Sequence, residues 1–216
     1  VRSVDLVENK LREADYFLGR MGEAGFNVWA FQCDFTAFLA SARSVTFTMQ
    51  AVMSGHGEWD DWYEERRNRL LAGPRGRFMV NMRNITQKVG DVGLNSGVGG
   101  PGQRAQQFFP KSLTAKLSSR EQDLDAFALS ERHMGVLVRL VQEWLYDFRA
   151  MWGVEVPVVW SGSIDELEAG LGFPAGWTTD IVDDASGEEV LLLSSPGEFF
   201  PNIDDLAARY PLIPDA

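Results

Sequence analysis

The stretch NMRNITQK, residues 81–88, brings Asn81, Arg83, Asn84 and Lys88 together within eight positions. An arginine presents a planar fork of N–H donors that matches a phosphate group, and a lysine adds a compact point charge. Residue types of this kind, crowded on one element, point to the handling of a phosphate anion. On a helix, Asn81, Asn84 and Lys88 share one polar face and Arg83 flanks it. A solvated polar face is the plain alternative, and the surrounding elements must decide between the two.

Other chemistries find less support. The chain has two histidines, His56 and His133, far apart and without a ligand spacing such as H-x-x-x-H. Glu-x-x-His pairs of the kind that hold di-iron centres in helical bundles are absent, so no metal site and no cofactor are expected. GVGGPGQR lacks the G-K-[ST] ending of a phosphate-binding loop and follows a helical stretch rather than a strand. Neither histidine has a signature serine or cysteine elbow beside it.

The elements that carry this stretch read as helices. Val4, Val7, Leu11, Ala14, Leu18 and Met21 alternate spacings of three and four, which lines one helical face with apolar side chains. The same rhythm runs through Val28, Phe31, Phe35, Phe38, Ala42, Val45, Met49 and Val52. It returns in Met134, Leu137, Val141, Trp144, Phe148 and Met151. Between them, residues 57–73 form a charged helix opened by Trp59, Trp62 and Tyr63 and closed by Gly73-Pro74. The motif helix follows, with Phe78, Met82, Ile85 and Val89 as its expected apolar stripe.

Residues 90–102 then contain six glycines, too many for a stable helix or strand, and read as a plain flexible loop. From 92 to 120 there are four basic residues, Arg104, Lys111, Lys116 and Arg120, and no carboxylate. After Trp152 the character changes. SIDELEAGLG reads as a short helix, TTDIVDD-ASG-EEVLLL as a β-hairpin, and NIDDLAARY as a last short helix. The expected fold is all-α: a four- or five-helix bundle over 1–152, with a Gly-rich basic loop at 90–122, and a small acidic α+β appendage over 153–216.

Charge divides the same way. Residues 1–152 hold 19 Lys/Arg against 18 Asp/Glu, a net +1, whereas residues 153–216 hold only Arg209 against 13 acidic residues, a net −12. The overall charge of −11 therefore gives no argument against a nucleic-acid partner of the first segment. No apolar run approaches the roughly 18 residues of a membrane span. Charges interrupt the start, VRSVDLVENK, which is unlike a signal peptide. The lone Cys33 sits in an apolar helical stretch and reads as a buried, inert thiol. A cytoplasmic protein without a membrane partner is expected.

An all-helical domain carrying ASARSVTFTMQ, then DWYEERR, then RFMVNMRNITQK resembles the HEPN superfamily over about residues 3–152. The likeness is to its bacterial branch, in which an Arg-Asn pair is followed shortly by histidine. The resemblance implies a homodimer that brings two motifs into one cleft. It also implies RNA as partner, metal-independent endoribonuclease chemistry, and a toxin–antitoxin or phage-defence setting. It gives Arg83 the phosphate-contacting role, Asn84 the positioning role, and Lys88 the place of the histidine. Arg104, Lys111, Lys116 and Arg120 are then the candidate RNA contacts of the loop.

Lys88 departs from that pattern. Imidazole titrates near 6.5 and exchanges a proton at neutral pH, whereas a lysine near 10.4 stays protonated unless buried or crowded by cations. Binding without efficient cleavage is therefore expected. His133 is the other imidazole that could substitute, although a lone helical histidine more often packs than reacts. A non-catalytic scaffold acting through protein contacts is the rival expectation, and the acidic tail is a place for a protein partner.

Overall fold

The computed structural model describes residues 3–97, 105–152 and 201–212. Among them the chain is mostly helical with one small two-stranded sheet. Contacts divide it into two units, Val1–Tyr146 with Asn202–Ala216, and Asp147–Pro201. The expected helix at 162–171 and the hairpin after it lie outside the described residues, as does Arg104. Of the second unit the description gives a 3-10 turn, Arg149–Trp152, in which Met151 is exposed rather than part of an apolar stripe.

Helix α1, Val4–Glu23, starts where Ser3 Oγ accepts from the amide of Asp5. Helix α2, Val28–Met53, starts where Asn27 Oδ1 accepts from the amide of Ala30. The two pack extensively against each other. Val7, Leu11, Ala14 and Leu18 meet a core that includes Phe31, Phe35, Phe38, Val45 and Met49, each 0–1% exposed. Burial of each large side chain contributes about 1.5–3 kcal/mol. Cys33 lies on the opposite flank of α2 and is exposed, so the expected buried thiol is corrected. Two residues, about 200° of helical rotation, carry it from the Phe31/Phe35 stripe into solvent.

Helix α3, Trp59–Ala72, is followed with one residue between by α4, Pro74–Lys88. Gly73 separates them, and Pro74 occupies the first helical position, where its missing N–H costs nothing. The turn is so tight that a Cβ on Gly76 would penetrate the carbonyl oxygen of Leu70. The buried stripe of α4 is Arg75, Phe78, Met79, Met82 and Thr86. Ile85 is half-buried and Val89 is 73% exposed, which rotates the stripe away from its expected line.

The glycine-rich segment is not a plain loop in its described part. Strand β1, Asn95–Gly97, pairs antiparallel with β2, Gln106–Phe108, with Asn95 opposite Phe108. Ser96 Oγ donates to Gln107 Oε1 across the pair at 2.9 Å. Phe109 then inserts between α2 and α4, its ring 5.5 Å from Phe35 and 5.1 Å from Phe78. One buried aromatic anchor and a partner strand offset what the glycines cost. A short helix, α5, Lys111–Thr114, and a turn lead to α6, Ala126–Asp147, capped where Asp125 Oδ1 accepts from the amide of Ala128.

The last helix, α7, Pro201–Arg209, belongs with the first unit rather than with the acidic appendage in which it was expected. Ile203 and Leu206 are each 1% exposed. Arg209 grips both carboxylate oxygens of Asp15 at 2.9 and 3.0 Å, and the Tyr210 hydroxyl donates to the same carboxylate at 2.7 Å. The chain then crosses α6 at Gly135, where a Cβ would stand 2.9 Å from the Tyr210 carbonyl oxygen. Burial and the Asp15 carboxylate push the Tyr210 hydroxyl well above its usual range.

At the start of α4, the Arg75 Nε donates to Glu121 Oε1 at 2.6 Å, with both side chains 2–3% exposed. Ser118 Oγ donates to the other carboxylate oxygen at 3.0 Å, and Arg75 Nη1 reaches the Arg132 carbonyl on α6. Glu121→Gln leaves the guanidinium buried without its counter-charge. The expected loss is about 3–5 kcal/mol of stability in urea denaturation, against less than about 0.5 kcal/mol for the exposed Asp123→Asn.

Candidate functional site

Four helices enclose a cleft of about 340 Å³ around the motif. Leu39 from α2, Leu70 from α3, Met79 from α4 and Leu137 from α6 give it apolar walls. Arg83 and Asn84 enter from α4, as the sequence led us to expect of a working pair. Two further arginines that sequence reasoning passed over join them, Arg43 from α2 and Arg67 from α3. Both stand inside the stretches ASARSVT and EERRNR, where neighbouring polar residues hide them in a linear reading.

Among the described residues, no carboxylate lines the cleft. Arg83 Nη1 donates weakly to Asn84 Oδ1 at 3.4 Å, and its Nε is buried without a hydrogen-bond partner. Arg43 donates to Thr46 Oγ1 at 3.0 Å, and its guanidinium lies 4.1 Å over the Phe47 ring. Arg67 is exposed. None of the three is ion-paired among the described residues, although the chain carries 31 acidic residues. Three like charges on low-dielectric walls concentrate a positive field that an anion would relieve.

Lys88 is not part of this arrangement. It is exposed and absent from the lining. Five residues at about 100° each place it about 140° around the helix from Arg83. The loop cations are dispersed as well. Lys111 pairs with exposed Asp123 at 2.7 Å, and Lys116 and Arg120 are exposed, none of them lining the cleft.

His133, the other imidazole the sequence offered, also lies at the cleft. It reaches the cleft from α6 and also lines a second cavity of about 240 Å³ beside Arg75 and Leu212. Its ring meets the Phe38 ring edge-on, 6.5 Å between centroids. Withdrawal from water, and secondarily the charge of Arg75, lowers its pKa to about 4. At neutral pH it is an uncharged imidazole that can donate or accept a hydrogen bond. With so low a pKa it is a poor acceptor for a proton leaving a hydroxyl.

The same shift makes a stability prediction. An unfolded histidine takes up its proton near 6.5, the folded one only near 4, so the unfolded state binds more protons between these values. This contribution to stability is complete above about pH 6.5 and declines as the pH falls toward 4. Between pH 7 and pH 4 the wild type should lose on the order of 2–3 kcal/mol more than His133→Gln, read from urea denaturation at each pH. Parallel losses in the two proteins would rule the assignment out.

A family model described as bacteriophage lambda protein ea47 matches residues 3–100 of the chain. No curated protein and no solved structure matches it. The matched segment holds Arg43, Arg67, Arg83 and Asn84, and His133 lies beyond it.

Proposed function

We propose that this protein binds RNA through the cleft around Arg83, as an HEPN-like protein in which binding persists and efficient cleavage does not. The observation that carries this reading is the set of three arginines without carboxylate partners in one cleft with Asn84. A guanidinium grips a phosphate through paired, charge-assisted hydrogen bonds, and a phosphate group of RNA is an anion such a cleft suits. The weakness of cleavage rests on two features: Lys88 stands outside the cleft, and His133 is too weakly basic to serve in its place. Similarity to a family described by a bacteriophage protein supports a phage-related setting. No described helix is long and apolar enough to cross a membrane, and a cytoplasmic address belongs to the same proposal.

Fluorescence anisotropy with a labelled single-stranded RNA tests the binding. Arg83→Ala should weaken affinity about tenfold or more at low salt, the scale of one lost charge-assisted contact. Lys10→Ala removes an equal charge from an ion-paired site on α1 and should stay within about twofold. Wild-type affinity should also fall steeply as salt rises. If Arg83→Ala binds as the wild type does, the reading is abandoned.

One observation favours the scaffold reading as a companion. Gln32 Nε2 donates to the Gly90 carbonyl at 2.7 Å, which ties the end of α4 to the start of α2. Phe26, Trp29 and Val89, 67%, 74% and 73% exposed, present apolar surface around that junction. Exposed apolar clusters mark protein contacts, and a second copy of the chain is the proposed occupant. Light scattering at micromolar concentration should give twice the chain mass of 24.1 kDa; a monomer would remove the dimer from the proposal.

A further inference from the structure

Resting on the RNA reading above, we infer that the cleft takes a phosphomonoester-bearing nucleotide, the phosphorylated end of an RNA strand or a free mononucleotide, rather than an internal phosphodiester. Charge is the first argument. An internal diester carries a single negative charge, and three guanidinium groups facing one cleft exceed what it can neutralise. A monoester is close to doubly charged at neutral pH, with three equivalent acceptor oxygens for forked donors.

Size is the second argument. About 340 Å³ is at the lower end of small-ligand sites and holds one nucleotide unit rather than a run of them. The walls come from α2, α3, α4 and α6 around an open mouth, through which one nucleotide can enter.

The lining chemistry is the third. Leu39, Leu70, Met79 and Leu137 offer apolar surface for the flat face of a base. Asn84 Nδ2 makes no hydrogen bond among the described residues, and the neutral His133 adds one donor and one acceptor. Amide and imidazole groups at the margin of an apolar wall can meet the polar edge of a base.

The test uses the full chain and a short single-stranded RNA prepared with a 5′-phosphate, with a 3′-phosphate and with hydroxyls at both ends. A phosphorylated end should bind about tenfold or more tightly than the all-hydroxyl strand, by anisotropy at one salt concentration. Arg43→Gln and Arg67→Gln should each erase that preference. Arg67 is exposed, so its variant keeps the test valid even if the Arg43 variant unfolds. Adenosine monophosphate should displace the phosphorylated strand, whereas adenosine and inorganic phosphate should do so at least about tenfold less well. If the mononucleotide binds more tightly than the strand, the free nucleotide is the ligand; the reverse order makes it the RNA end. Equal binding of all three strands, with Arg83→Ala still weakening each, overturns the inference and leaves the RNA reading standing. Inorganic phosphate competing as well as the mononucleotide also overturns it, and Arg83-independent binding throughout removes both.

Discussion

The buried pair between Arg75 and Glu121 is the constraint on which the rest of the first unit depends. Removing two charges from water costs several kcal/mol each, so such a pair persists only where geometry and further hydrogen bonds offset the loss. Here Glu121 receives Arg75 on one oxygen and the Ser118 hydroxyl on the other, with Arg132 3.9 Å away. Arg75 also reaches the Arg132 carbonyl, so one guanidinium joins the first turn of α4, the segment before α6, and α6 itself. Gly76, next in sequence, lets α4 begin against the Leu70 carbonyl. Together these fix where α4 starts and how it is rotated, and hence the direction in which Arg83 leaves it eight residues later. Burial first, and the charge of the same Arg75 second, keep the neighbouring imidazole of His133 uncharged.

Several arginines of the unit find carboxylate partners: Arg20 with Asp34, Arg66 and Arg69 with Glu143, Arg209 with Asp15. Others, such as Arg12 and Arg120, stand exposed in solvent. Arg43, Arg67 and Arg83 line one cleft, and among the described residues no carboxylate joins them there. Local inconsistency of this sort concentrates at functional sites, because the missing counter-charge arrives with the ligand. The net charge of residues 1–152, only +1, hides this completely. Distribution decides what an acidic protein can bind.

Local periodicity made α1, α2 and most of α6 legible residue by residue, since each stripe depends only on the 3.6-residue turn. Val7, Leu11, Leu18, Phe35, Phe38, Met49, Val141 and Trp144 are buried where their spacing puts them. The stripe of α4 was harder to read because its neighbours surround it on more than one side. Met79 and Thr86 turn inward while Val89 ends exposed beyond the helix. Glycine count misjudged residues 95–97, because strand pairing is a property of two segments and Phe109 supplies the anchor. The last helix was legible as a helix but not as a guest of α1, since nothing in NIDDLAARY reveals that Asp15 awaits Arg209. Arg83 and Asn84 could be picked out as neighbours in sequence. Their convergence with Arg43, Arg67 and His133 depends on four helices and has no linear signature.

On the proposed reading, the chemistry of the cleft follows from what each cation can and cannot exchange. A guanidinium stays protonated throughout the physiological range, so it stabilises a phosphate without moving a proton. Cleavage of an RNA strand requires a group that removes a proton from the attacking hydroxyl and one that returns a proton to the leaving oxygen. His133 is the titratable group among the lining residues closest in kind to that task, and its pKa near 4 leaves it almost wholly unprotonated at pH 7 and weakly basic. Burial is the larger cause of that low pKa, and the charge of Arg75 adds to it. The guanidinium that anchors the start of α4 thus also contributes to the weak basicity of the imidazole beside it.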